Sequence, residues 1–256
     1  MIRHGTGEPL VLLHGVTGDE GMWSEVVPLV APHFDTIAIT ALGHSGGRAP
    51  TTRPVLMQHV VDDAERTLDE LGIERAHLAG NSMGGWMALE LARRGRALSV
   101  CALSPSGTWP PGEGAHNKTR LRLKQSQRDA RRTRPILPLL MRSARIRRFG
   151  VRLNAVHGER LSPRFIVERA DAHIACTVLD DILATPESLE PLDPLPCPVT
   201  IAWASEDRVL PLESNGEHAK KLVPDARFIV LEGIGHVPFF DDPGLTARTI
   251  METARA

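Results

Sequence analysis

Through the first hundred residues, apolar side chains arrive in short unbroken runs separated by longer stretches where they recur every three or four positions. The runs read as strands buried on both faces and the recurrences as amphipathic helices, so the alternation predicts a parallel sheet with crossover helices. Pro9 to Gly15 (PLVLLHG) is a strand ending in a glycine turn, Met22 to Ala31 (MWSEVVPLVA) a short helix, and Asp35 to Thr40 (DTIAIT) the next strand. A helix follows on Val55, Leu56, Val60, Val61, Leu68 and Leu71, with Gly72 as its C-cap. Arg75 to Gly80 (RAHLAG) predicts a strand, Ser82 to Gly95 a helix, and Leu98 to Ser104 (LSVCALS) another strand.

From Thr108 to Leu192 the strand pattern stops, leaving basic helical segments broken at Pro135, Pro138 and Pro163. Beyond the proline-rich LDPLPCP the sheet resumes with Val199 to Ser205 (VTIAWAS), a helix near Ser214 to Leu222, the strand Arg227 to Leu231 (RFIVL) and a last helix over Pro243 to Thr253. The expected architecture is an α/β core over residues 1–107 and 193–256, a mostly parallel sheet with helices on both faces, with residues 108–192 inserted as a helical lid.

The spacing Gly-x-Ser-x-Gly occurs twice, around Ser45 (GHSGG) and around Ser82 (GNSMG). A serine hydroxyl attacks well when a base takes its proton and donors await the oxyanion, and a sharp strand-to-helix turn supplies both exposure and donors. Ser82 has a strand before it and a strong helix former after it. Ser45 follows a strand, but the glycines and prolines behind it cannot start a helix at once, so it reads as a loop beside the site. Asp207 stands just past the strand VTIAWAS and His236 in the loop after RFIVL, giving the order Ser, Asp, His. Asp241 and Asp242, ahead of Pro243, read as caps of the last helix, and Ser104-Pro105-Ser106 leaves no acid after the strand LSVCALS.

The motifs LLHGVTG, GNSMGGW, WASEDRVLP and GIGHVPFFDDP, in this order, resemble the α/β-hydrolase fold family over nearly the whole chain. The resemblance implies a sheet of about eight strands with a lid after the sixth, and an oxyanion hole from the backbone N–H groups of Val16 and Met83. The few residues before PLVLLHG imply a truncated N-terminal antiparallel hairpin, and TALGHSGG replaces an acid that the family often carries before its Gly-rich loop. The implied activity is a cofactor-free serine hydrolase that cleaves a carboxylic ester, lactone or thioester through Ser82, His236 and Asp207. Carbon–carbon bond hydrolases, cofactor-free perhydrolases and ligand-binding members of the fold are the alternatives. The first of these usually carry Trp after the catalytic His, where this chain has Val237. Epoxide hydrolases and haloalkane dehalogenases use an Asp nucleophile where this chain has Ser82, and epoxide opening relies on lid tyrosines, whereas the chain contains no tyrosine.

The formal net charge of −1 speaks against general nucleic-acid binding. No apolar run approaches the roughly 20 residues of a membrane span, so neither a nucleic-acid nor a membrane partner is expected. Cys101, Cys176 and Cys197 make neither a metal spacing nor an even disulfide set, which with the lack of a signal-peptide pattern points to the cytoplasm. The charge is uneven: sixteen lysines and arginines fall between Lys118 and Arg169, among them Arg120, Arg128, Arg131, Arg132, Arg145 and Arg148. Most are expected to be solvated helix faces. The sharper expectation is a surface that attracts an anionic substrate or an acidic carrier protein, since family lids with arginines can dock an acyl carrier.

Overall fold

The computed structural model describes residues 1–110 and 117–256; residues 111–116 of the expected insertion lie outside the described residues, as do the side chains of Asn117 and Lys118. The strands are β1 (Ile2–His4), β2 (Pro9–Leu13), β3 (Asp35–Ile39), β4 (Ala76–Asn81), β5 (Ala97–Leu103), β6 (Val199–Ala204) and β7 (Arg227–Leu231). They form one seven-stranded sheet in the order β1-β3-β2-β4-β5-β6-β7, with β1 antiparallel to β3 and every other pairing parallel. Against an expectation of about eight strands, the described residues form seven: a single short strand, β1, stands in place of an N-terminal hairpin, and the long helical segment follows the fifth strand in chain order.

The parallel strands are apolar on both faces because helices cover both. Along β2, Leu10 and Leu12 face one core with Trp23, Val30 and Ile250, while Val11 and Leu13 face the other with Val60, Leu68 and Leu89. The helices of the first half are α1 (Val27–Val30), α2 (Met57–Glu70) and α3 (Met83–Arg93). In α2 the residues Met57, Val60, Val61, Ala64 and Leu68 are buried at helical spacing, and Gly72 takes a φ of 70° just beyond the end, as a C-cap glycine does. The helix expected over Met22 to Ala31 is instead a 3₁₀ turn at Glu20–Trp23 followed by the single turn α1. Asp19 caps the first piece by accepting from Gly21 N–H, and Pro28 has no N–H to continue a ladder back into it.

Between β5 and β6 the described residues form α4 (Asn117–Thr133), α5 (Leu137–Leu140), α6 (Ala144–Gly150), α7 (Pro163–Ala175) and α8 (Leu179–Ala184), with no strand among them. Thr177, between α7 and α8, is anchored on the loop that carries Ser45: its N–H and hydroxyl both donate to Gly43 O, at 2.9 and 3.0 Å. The last part of the chain adds α9 (Glu217–Leu222), a one-turn helix α10 (Pro238–Asp241) that the periodicity did not predict, and α11 (Pro243–Ala254). No helix among the described residues is long and apolar enough to cross a membrane.

Candidate active site

β4 ends at Asn81 and α3 begins at Met83, so Ser82 alone makes the turn, with φ 55° and ψ −115°. A non-glycine residue there carries backbone strain of order 1–3 kcal/mol, which its surroundings must hold in place. They do so with hydrogen bonds. Ser82 N–H donates to Leu103 O at 2.9 Å, and Ser82 O accepts from Gly85, Trp86 and Ser106 N–H at 3.0, 3.1 and 3.0 Å. The flanking glycines are required by close approach. A Cβ on Gly80 would fall 2.0 Å from Gly84 O, and one on Gly84 would fall 2.1 Å from Leu13 O. Met83, as the first residue of α3, has an N–H with no acceptor inside its own helix.

The structure brings His236 and Asp207 together behind this turn. His236 Nδ1 lies 2.7 Å from Asp207 Oδ2, and both side chains are buried. The other carboxylate oxygen, Oδ1, accepts from the N–H groups of Val209 and Leu210 at 2.8 and 2.7 Å, so Asp207 has a fixed direction. Asn81, one residue before Ser82, donates from Nδ2 to His236 O at 2.8 Å and to Leu103 O at 3.1 Å, tying the turn to the histidine loop. This tie was not foreseen; Asn81 sits in the motif, but nothing in the sequence shows where its amide points.

The backbone of Gly15 lies close to Ser82, so that a Cβ on it would come 3.3 Å from the Ser82 Cβ, and Val16 follows it. His14 holds this loop: its Nε2 accepts from Ala41 N–H at 3.0 Å, so the proton sits on Nδ1, which donates to Gly15 O at 2.8 Å. Burial, aided by the neighbouring His44 ring 5.0 Å away, pushes the His14 pKa down to about 3, and burial pushes His44 to about 4. Both are neutral braces. Neither is a base for the site.

The two acids after His236 have different roles. Asp242 caps α11, accepting from Leu245 N–H at 2.8 Å. Asp241 does not cap it, contrary to expectation. It is 1% exposed, and its carboxylate accepts from Gly235 N–H at 2.8 Å, Val156 N–H at 3.0 Å and His157 N–H at 2.6 Å. Only one residue can occupy the N-cap, and the one-turn helix α10 turns Asp241 inward instead. Val237 N–H adds a bond to Asn154 O at 2.8 Å, so the loop 154–157 of the helical segment is fastened to the loop that carries His236.

A cavity of about 1110 Å³ opens over the strand ends, and Gly15, Val16, Ser82, Met83 and His236 all line it. Its far wall comes from the helical segment, with Leu137, Met141, Leu161 and Ile166 apolar and Arg122 and Asp129 polar. Arg169 of α7 reaches across to pair with Asp19, three residues beyond Val16, and so ties that wall to the glycine loop. Ser45 does not line the cavity, and no helix starts until Met57. Among the described residues, no group of three or more His, Cys, Asp and Glu is placed to hold a metal ion.

A family model described as the alpha/beta hydrolase family matches residues 10–249. The chain belongs to that family. Within it, this hydrolase is 33% identical over 200 residues to the epoxide hydrolase EphH of Mycobacterium tuberculosis, an alignment spanning 72% of this chain and 88% of that protein. Its fold is similar to that of a thermophilic esterase from Thermogutta terrifontis, with a TM-score of 0.72, 22% identity, and 99% and 92% of the two chains covered. It is also similar to the 2-hydroxy-6-oxo-6-phenylhexa-2,4-dienoate hydrolase of Rhodococcus sp., with a TM-score of 0.74, 23% identity, and 99% and 98% covered. Identities this low carry the fold alone.

Proposed function

We propose that this hydrolase cleaves a carboxylic ester, in which class we include lactones and thioesters, through an acyl-enzyme on Ser82. The observation that carries the reading is the shared cavity: Ser82 on its strained turn and His236 both face it, while buried Asp207 holds the far nitrogen of that imidazole. In the reading, His236 Nε2 takes the Ser82 proton as the hydroxyl attacks the ester carbonyl. Asp207 fixes the ring and stabilises its charged form. The N–H groups of Val16 and Met83 receive the oxyanion, and His236 returns the proton to the leaving alcohol. Water, deprotonated by the same His236, then releases the acid and restores Ser82. The chemistry needs no group beyond these residues and water.

The inserted segment, residues 108–192, is the lid in this reading, since its described residues wall the cavity that Ser82 faces. The free thiols Cys101 and Cys176, buried, and Cys197, half-buried, suit a reducing cytoplasm. Epoxide hydrolysis is the second reading, favoured by the relative from Mycobacterium tuberculosis. The residues weigh against it, with a serine at the turn and no tyrosine in the chain.

The test is a panel of p-nitrophenyl esters of rising chain length beside lactones, thioesters and an aryl epoxide. Turnover of the carbonyl substrates is expected, and Ser82→Ala should remove about 10⁶-fold in kcat while the protein stays folded. Ser45→Ala should keep activity within about tenfold, as a residue outside the cavity. Turnover of the epoxide alone, or a dead Ser45→Ala beside an active Ser82→Ala, would sink the reading.

A further inference from the structure

Large apolar side chains left in solvent are concentrated in one short stretch of this molecule. Ile136 is 54% exposed, Leu139 66%, Ile146 39% and Phe149 65%, all within the residues that flank and form α5 and α6. Ile146 and Phe149 are three apart on α6 and Ile136 and Leu139 three apart across α5, so each pair shares a face. Exposed apolar side chains gathered in so short a stretch mark a docking site more often than singly scattered ones do.

The charge around these side chains says what they dock on. Between Asp129 and Glu159 the chain has eight arginines, no lysine and no acid. Arg134 is paired with Asp171, Arg148 lies 3.8 Å from Glu159, and Arg147 is spent on the carbonyls of Met141, Arg142 and Glu159. Arg142 and Arg145 are exposed beside the apolar residues, with no carboxylate within ion-pair distance among the described residues. Arg152 stacks its guanidinium 3.8 Å over the Phe149 ring.

We propose that this face of α5 and α6 docks on a bilayer surface that carries anionic lipid. Arginines next to exposed aliphatic and aromatic side chains are what an interfacial helix presents, its apolar residues entering the acyl boundary while its cations meet lipid phosphates. An acidic protein would satisfy the arginines but would need matching pockets for four apolar side chains; a bilayer accepts them without shape complementarity. Leu140, Met141 and Phe149 also line the cavity, so docking would set the cavity wall against the lipid and let an ester dissolved in the bilayer enter directly. Surface docking runs against the expectation of no membrane partner, which rests on the lack of an apolar run of span length; docking of this kind needs no span.

The experiment is flotation of the whole protein with vesicles of phosphatidylcholine, alone or with about a third phosphatidylserine. Binding to the anionic vesicles should exceed binding to neutral ones by about tenfold or more and weaken as salt rises. The combined variant Ile136→Ser, Leu139→Ser and Ile146→Ser should lose most of this binding at low salt, and each single variant should lose part of it. Turnover of a water-soluble ester should not change, because none of the three lines the cavity. Arg142→Ser with Arg145→Ser should abolish the preference for anionic vesicles. Ser82→Ala protein should float like the native chain, so the proposal stands or falls apart from the esterase reading. Absence of flotation, equal binding to both vesicles, or native binding by the serine variants would overturn it. So would salt-sensitive binding to an acidic soluble protein without any binding to vesicles.

Discussion

At the scale of single residues, Asp207 and Asp241 differ in what they hold. Asp207 bonds the imidazole of His236, so Asp207→Asn removes the charge facing that ring and allows the wrong tautomer. A loss of about 10⁴-fold in kcat is expected in an ester assay, with the fold kept by circular dichroism. Buried His14 and His44 and half-buried His173 give a separate prediction. Burial holds His14 at about 3, with His44 and His173 at about 4, against an ordinary value of 6.5. The folded chain therefore binds fewer protons than the unfolded chain between these values. Their stabilising contribution is present above pH 6.5 and is lost as pH falls toward 4 and then 3. Unfolding free energies from urea titrations should drop across that window, by at most about 1.4 kcal/mol per pH unit for each histidine. His44→Asn should reduce the slope by roughly a third. An unchanged slope would mean that His44 is not held neutral by burial.

At the scale of elements, the core strands and α2, α3 and α11 were legible because each has a buried side with its own period and a glycine, proline or capping acid at an end. The positions of Ser82, Asp207 and His236 were legible for a related reason, since each lies within five residues of the end of a strand readable from its apolar run. What escaped was set by contacts between segments far apart in the chain. Met22 to Ala31 keeps helical spacing, but Pro28 splits it. Asp241 and Asp242 are adjacent acids before a proline, and no local pattern tells which caps α11 and which turns inward to Gly235, Val156 and His157. Asp241→Asn puts an amide N–H against at least one of these three donors. It should cost about 1–3 kcal/mol of stability and, by loosening the loop of His236 against the loop 154–157, lower kcat with little change in KM. Asp241→Glu should not rescue it, because the longer side chain would move a buried carboxylate off three N–H groups at 2.6–3.0 Å. Asp242→Asn, which keeps a good cap, should change neither. A kcat loss at Asp242 with none at Asp241 would show that the fastening has no bearing on His236.

At the scale of the whole molecule, the charge is divided between two parts. Residues 108–192 contain sixteen Lys and Arg against nine Asp and Glu, a surplus of seven positive charges in a chain of net −1, so the remainder is negative by eight. Several of these arginines are consumed by structural pairs, Arg134 with Asp171 and Arg169 with Asp19 among them. Arg128, Arg132 and Arg145 are exposed, with no carboxylate at ion-pair distance among the described residues. A field of this kind acts on association more than on chemistry, and salt beyond about 0.15 M confines it to roughly 8 Å. The kcat/KM of an anionic ester, or of a thioester borne on an acidic carrier, should therefore fall about tenfold from low to high salt, while that of a neutral ester stays level. Arg128→Ser, Arg132→Ser and Arg145→Ser together should reproduce the fall at low salt and leave the neutral ester untouched, because none of the three lines the cavity. Equal salt responses for both esters would mean that these charges steer nothing into the site. Their bearing on a lipid surface would then rest on the flotation measurement alone.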